Sequence, residues 1–181
     1  MKRDEKVILI DADVISHFIV GGYITTLPSI FPKRIKILDK VYKELERTPK
    51  RKAEISNLIN MKLFELVSFP EHNEEIKKEY FRLTSKEFKG EGESACMAVA
   101  RFSDDVLASS NLKDIKAYCE EHKIEYMTTM DILCYAMGIG KMTLDNCNEF
   151  LQRTKNAGQK LPVSRIEDYN CKASNEKLSK K

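Results

Sequence analysis

Val7 to Ile10 are four consecutive aliphatic side chains, and Asp11 follows them directly. A short continuous apolar run reads as a strand buried on both faces, the kind found inside a parallel sheet. Asp13 comes next after a single alanine, and apolar residues then resume to Val20. A carboxylate at the end of a buried strand is costly unless something uses its charge.

The rest of the chain repeats this alternation. Arg34 to Leu38, Leu63 to Phe69, Val106 to Ser109 and Ile124 to Thr128 read as further short strands. Helical spacing is expected over Val14–Val20, from Asp39 through Leu45, over Lys50–Met61 and over Glu74–Ser85. Four more helices are expected: Glu91–Phe102, Leu112–His122, Asp131–Met137, and one capped by Thr143 that runs to about Asn156. Tyr23 to Pro32 reads as a connector. Strands alternating with helices predict a three-layer α/β/α fold around a central, mainly parallel sheet of four to five strands. With 181 residues, 42% of them hydrophobic, the chain has the core of one domain, expected over residues 1–163. Residues 164–181 turn polar and Lys-rich and read as a flexible tail.

The five cysteines are scattered, with no C-x-x-C pair and no histidine at ligand spacing. They suggest neither a zinc site nor a disulfide framework. Cys96, Cys119 and Cys134 read as small buried hydrophobes, and the unpaired odd count fits a reducing compartment. MKRDEK runs straight into the first strand, which leaves no room for a signal peptide, and no apolar run is long enough to span a bilayer. A soluble, cytoplasmic protein with no membrane partner is the expectation. The net charge of +3 leans only weakly toward polyanions.

Functional groups in an open parallel sheet gather beyond the carboxyl ends of its strands. Asp11 ends the first strand there; Ser109, Ser110 and Asn111 end the strand at Val106, with Asp114 one helical turn on. The helices carrying Glu44 and Glu46 and the one opened by Gly90-Glu91-Gly92-Glu93 can add acids to the same rim. Carboxylates that converge raise one another's pKa, and a divalent cation removes the conflict. Oxygen donors without Cys or His suit Mg²⁺ or Mn²⁺. Such a cluster activates water and stabilises a phosphodiester being displaced. The chemistry read from the residues is therefore metal-dependent phosphoryl or phosphodiester transfer.

The order of these features resembles the PIN-domain family of small metal-dependent nucleases, which includes the toxin ribonucleases of toxin–antitoxin pairs. The likeness rests on an Asp after the opening strand, Glu44 in V-Y-K-E-L, an acid opening an A-x-x-A helix, and VLASSNLKDIKAYCEEHKI. MTTMDILCYA and MTLDNCNEFLQRTKNAGQKLP extend it, so that it covers roughly Val7 to Gly158. The resemblance implies a metal-dependent endoribonuclease that hydrolyses RNA and leaves a 5′-phosphate and a 3′-hydroxyl. By it, Asp11, Glu44 and Glu91 are the first three acids, and Glu93 matches the third position nearly as well. Asn111 stands where the family commonly has Asp, so Asp114 would substitute from the next turn. Asp13 stands where a small polar residue is usual, as an added ligand or a group that orients a metal-bound water. Ser109, Ser110 and Asn111 are the candidate substrate contacts. An antitoxin protein and a homodimer are further partners implied by the resemblance alone.

Each feature also has a plainer reading. Asp11 can serve as a helix cap, and Asp13, Glu91 and Glu93 as first-turn acids favoured by the helix dipole. Ser109 and Ser110 can simply end a strand, and Asn111 can cap the helix after it. His17 reads as a satisfied core or rim residue. The basic stretch from Lys33 to Lys52 either tracks a phosphate backbone or is a solvated face. With Asn111 in the fourth position, the alternative function is a degenerate PIN module that binds RNA or a partner protein without cleaving. Asp11-Ala12-Asp13 also matches the Asp-x-Asp of haloacid-dehalogenase phosphatases. The second acidic pair of those enzymes is missing, because Asp104-Asp105 precede their strand rather than follow it.

Overall fold

A computed structural model of the chain describes residues 6–87 and 90–174. Five strands form one sheet: β1 (Ile8–Ile10), β2 (Ile35–Leu38), β3 (Glu65–Val67), β4 (Val106–Ala108) and β5 (Tyr126–Met127), in the order β3-β2-β1-β4-β5. Every pairing is parallel, with Ile8 beside both Ile35 and Val106. The fold is therefore the three-layer α/β/α architecture that the apolar runs predict. All residues of β1 and β4 are buried, as strands covered on both faces must be. β3 is shorter than the Leu63–Phe69 run suggested, because it lies at the edge, where Leu66 is 41% exposed.

The helices are α1 (Ala12–Gly21), α2 (Leu27–Ile30), α3 (Asp39–Glu46), α4 (Pro49–Asn60), α5 (Glu74–Glu87), α6 (Glu91–Arg101), α7 (Leu112–His122), α8 (Thr129–Gly138) and α9 (Leu144–Asn156). Right-handed crossovers place the connections running β1→β2→β3 on one face and those running β3→β4→β5 on the other. Phe18 of α1 and Phe150 of α9, both fully buried, meet edge to face at 4.9 Å and seal the first face. On the second, α6 is built of small buried residues, Ser94, Ala95, Cys96, Ala98 and Ala100, which let it lie close to the sheet.

Several local expectations change. α1 begins at Ala12, two residues early, because Asp11 caps it: Oδ1 accepts the Ala12 N–H at 2.7 Å. Asp39 does not cap α3. Leu38 holds that position, and Asp39 instead accepts the Phe69 N–H at 3.1 Å, tying α3 to the segment after β3. The connector after Tyr23 contains a 3-10 turn at Ile24–Thr26 and the short α2. α8 starts at Thr129, where Thr128 and Asp131 form a reciprocal capping box.

The largest change is at the C-terminal end. Cys134 of α8 and Cys171 form a disulfide, overturning the expectation that no cysteines pair. Cys134 is buried, as read, but its partner lies 37 residues on and faces it only in the folded chain. The pairing removes the cysteine argument for a reducing compartment. Residues 164–174, assigned above to a tail, pack on the domain: Ile166 is 1% exposed and its N–H donates to Asn148 Oδ1 at 2.8 Å. Ser174 Oγ donates to Asp131 Oδ1 at 2.7 Å. The remainder of that segment, residues 175–181, and Met1 to Glu5 lie outside the described residues. Among the described residues no helix is long and apolar enough to cross a membrane.

Candidate functional site

The chain leaves β1 for one edge and later returns to start β4 on the other side of β1. Crevices in open α/β sheets open where the strand order reverses in this way. Here the reversal lies between the carboxyl ends of β1 and β4, where the Asp11 N–H donates to Ala108 O at 2.9 Å. Asp11 and Ser109 therefore leave their strands side by side.

Asp11 is 5% exposed. Burial pushes its carboxyl well above the usual carboxylate range, and the charges of Asp13, Glu93 and Glu44 push it further; the Ala12 N–H opposes them. The same four acids raise the thiol of Cys96, which is wholly buried in α6 beneath them, although burial is the larger cause. The charges of Asp13, Glu44 and Glu93 thus act on Asp11, and all four act on Cys96.

Asp13 joins α1 to the turn after β4. Its Oδ2 accepts the Ser110 N–H at 2.8 Å and its Oδ1 the Val14 N–H at 2.5 Å. Burial raises its carboxyl, and these amides, with the Asn111 N–H and the Ser109 hydroxyl, pull it back down. In sequence Asp13 looked like a dipole-stabilised first-turn residue; in space it is tied to the backbone of the turn at Ser110 and Asn111.

α6 contributes one acid of its first turn and not the other. Glu93 is 6% exposed, whereas Glu91 is exposed and its charge acts on the Tyr80 ring of α5. Two residues apart on a helix is about 200° of rotation, so the two carboxylates cannot share a face. Glu44 reaches the same helix from α3: its Oε1 accepts the Gly92 N–H at 2.8 Å, at the positive end of the α6 dipole. Gly92 makes this approach possible. A Cβ there would stand 3.1 Å from Val41 Cα and 3.2 Å from Glu44 Cδ. The sequence reading took Gly90-Glu91-Gly92-Glu93 for its acids, but its alternating glycines also marked a close helix contact.

The remaining candidates take other partners. Asp114 Oδ2 accepts from Asn111 Nδ2 at 2.7 Å. Asn111 occupies the position before α7, but its side chain makes no capping bond. Ser109 is fully buried, and its N–H extends the ladder to Met127 O at 3.1 Å. Glu46 pairs with Lys52 at 2.9 Å. His17, read as a satisfied core or rim residue, is 8% exposed and lies 2.9 Å from Thr129 Oγ1 through Nδ1. Burial, with Arg51 nearby, pushes His17 down to about 4, so the ring is neutral at pH 7.

Three carboxylates, from α3, α6 and the start of α1, thus act on one buried carboxyl, Asp11. Their chemistry fits a hard divalent cation. In this structure, among the described residues, no three His, Cys, Asp or Glu side chains are arranged to hold an ion. No family model, curated protein or solved structure matches the chain.

Proposed function

We propose that the chain is a metal-dependent ribonuclease whose ligands are Asp11, Asp13, Glu44 and Glu93. One observation carries the reading: a carboxyl at the switch point of a parallel sheet is raised above its usual pKa by burial and, beyond that, by three other acids gathered around it. Repulsion among the four acids opposes folding even though Asp11, Asp13 and Glu44 also accept backbone bonds, and strongly perturbed groups of this kind concentrate at functional sites. Mg²⁺ or Mn²⁺ bound there would neutralise the carboxylates and supply an activated water to an in-line phosphodiester displacement.

The chain's own residues define what surrounds such an ion. Asp11 and Asp13 present from α1, on a turn fixed by backbone amides. Glu44 and Glu93 come from α3 and α6, and the charges of both act on Asp11. Glu91 and Asp114 stand beside it, Asp114 bonded to Asn111. The likeness to PIN nucleases in the order of motifs supplies the choice of RNA as substrate. Arg51 of α4, whose charge acts on His17, adds positive charge of the kind a polyanion needs.

The test is cleavage of single-stranded and structured RNA in Mn²⁺, wild type against Asp11→Asn. Cleavage that Asp11→Asn abolishes supports the reading; equal cleavage by both proteins ends it. A second reading, a binding module without catalysis, is favoured by the diversion of Asp114 to Asn111 and by the open spacing of the acids. RNA retention without metal uptake or cleavage would select it.

A further inference from the structure

The hydroxyls of Ser110 and Thr129 differ from those that bond within their own helix. Ser16 Oγ turns back to Ala12 O and Thr154 Oγ1 to Phe150 O, each satisfied within its own helix. Ser110 and Thr129 instead bond across three elements. Ser110 Oγ donates to Thr129 Oγ1 at 2.8 Å, and the Thr129 N–H donates to Ser110 Oγ at 2.9 Å. The Thr129 hydroxyl also meets His17 Nδ1, 2.9 Å away, a contact that either tautomer of the ring can make.

Both ends of this chain return to α1. His17 and Asp13 lie four residues apart, one turn along the same helix face. From Asp13 the bonds run to the Ser110 amide, through Ser110 Oγ to Thr129, and from Thr129 to His17. The circuit closes on the helix where it started. Its third corner is fixed too: the Thr128–Asp131 capping box sets the start of α8, and Asp131 also accepts from Ser174. Thr129 is fully buried and His17 nearly so, so these bonds are shielded from competing water.

We infer that Ser110, Thr129 and His17 form a brace that positions Asp13 against the end of β4, where it serves as the ligand on the side occupied by Asn111. The three are positioning residues; none is a ligand. The inference rests on the metal-site reading above for the use of Asp13, but the brace itself is a property of the metal-free chain. Residues that orient metal ligands typically change affinity by about ten- to a hundredfold when lost.

The experiment uses two readouts on the full chain: amide hydrogen exchange at Ser110 without metal, and Mn²⁺ affinity by calorimetry. Thr129→Val, which keeps shape and removes the hydroxyl, is expected to speed Ser110 exchange and to weaken Mn²⁺ binding about tenfold. Thr129→Ser should restore both. His17→Leu should repeat the Thr129→Val result from the α1 end, and His17→Asn, whose Oδ1 can take the place of Nδ1, should recover most of it. If one variant fails to fold, the other still decides. Unchanged Ser110 exchange in Thr129→Val overturns the brace. Faster exchange with unchanged Mn²⁺ affinity overturns its role in positioning a ligand. A wild type that takes up no Mn²⁺ overturns the metal reading, while the exchange data still decide the brace.

Discussion

Two buried carboxylates of this protein have opposite fates. Glu79 on α5 and Asp11 after β1 are each 5% exposed. Around Glu79 the chain assembles donors: Arg82 at 2.7 and 2.9 Å, Arg101 at 2.8 Å and the Tyr118 hydroxyl at 2.7 Å. The Arg82 bond and then the Tyr118 and Arg101 bonds outweigh burial and pull its carboxyl down to about 2. Around Asp11 the chain assembles Asp13, Glu93 and Glu44, and the carboxyl is pushed up. Burial is common to both; the sign of the neighbours is not. A charge that supports the fold is neutralised by the chain itself, here joining α5, α6 and α7. A charge left among its own kind calls for something from outside.

The largest expected effect breaks the comparison at Asp11. Asp11→Asn keeps the acceptor that caps α1 and removes the buried charge. RNA cleavage should fall at least about a hundredfold, a barrier increase of about 3 kcal/mol. Thermal scans without metal should show a higher Tm than wild type, and added Mn²⁺ should raise the wild-type Tm only. A lower Tm without metal would mean that the carboxylate supports the fold, as Glu79 does.

Glu79→Gln should do the reverse. It leaves two guanidiniums without their carboxylate, but each is about a third exposed, so water offsets part of the loss. A destabilisation of about 2–3 kcal/mol is expected, a Tm drop of roughly 4–12 °C, with Mn²⁺ affinity unchanged. An equal loss of metal binding would show that the two regions are not separate.

The pH dependence of urea unfolding should carry all three groups, two of one sign and one of the other. His17 is held near 4 in the fold against 6.5 ordinarily, so the unfolded chain takes the proton first. Stability should fall by roughly 2–3 kcal/mol as pH drops from about 6.5 to about 4, and His17→Asn should flatten that limb. Glu79, low in the fold, stabilises above about 4.5, and its contribution is lost as pH falls toward 2. Asp11, raised in the fold, acts oppositely: its burden sets in as pH rises past the ordinary value of 3.8. Asp11→Asn should therefore steepen the net acid loss.

The smallest effect sharpens how Glu44 joins the cluster. Gly92→Ala gains helix propensity but sets a methyl 3.1 Å from the Val41 backbone. The two nearly cancel, leaving a stability change under about 1 kcal/mol. The helices must still part by a few tenths of an ångström, which lengthens the Gly92–Glu44 bond. Mn²⁺ affinity should drop by a few-fold; an unchanged affinity would detach Glu44 from the site.

Much of this was legible in the chain as written. The run Val7–Ile10, the order of strands and helices, the placement of Asp11 at a strand end and the Thr143 cap all depend on neighbours in sequence, and each appears in the structure. Periodicity did not distinguish Glu91 from Glu93, since both fit a helix's first turn; the contact of α6 with α3 and the sheet decides which one turns inward. His17 was recognised as a satisfied residue, but its partner Thr129 lies 112 residues away. Cys134 and Cys171 gave no spacing signal for the same reason.

The sequence by itself determined a covered parallel sheet with an acid delivered to its rim, because strand burial and helix phase are local properties of side-chain order. Only the tertiary structure decided which acids share that rim, that Asp13 is tied to the end of β4, and that Glu79 is neutralised while Asp11 is not. Those outcomes depend on the rotation of each helix about its axis and on contacts between distant segments, and a few ångströms there reverse the direction of a pKa.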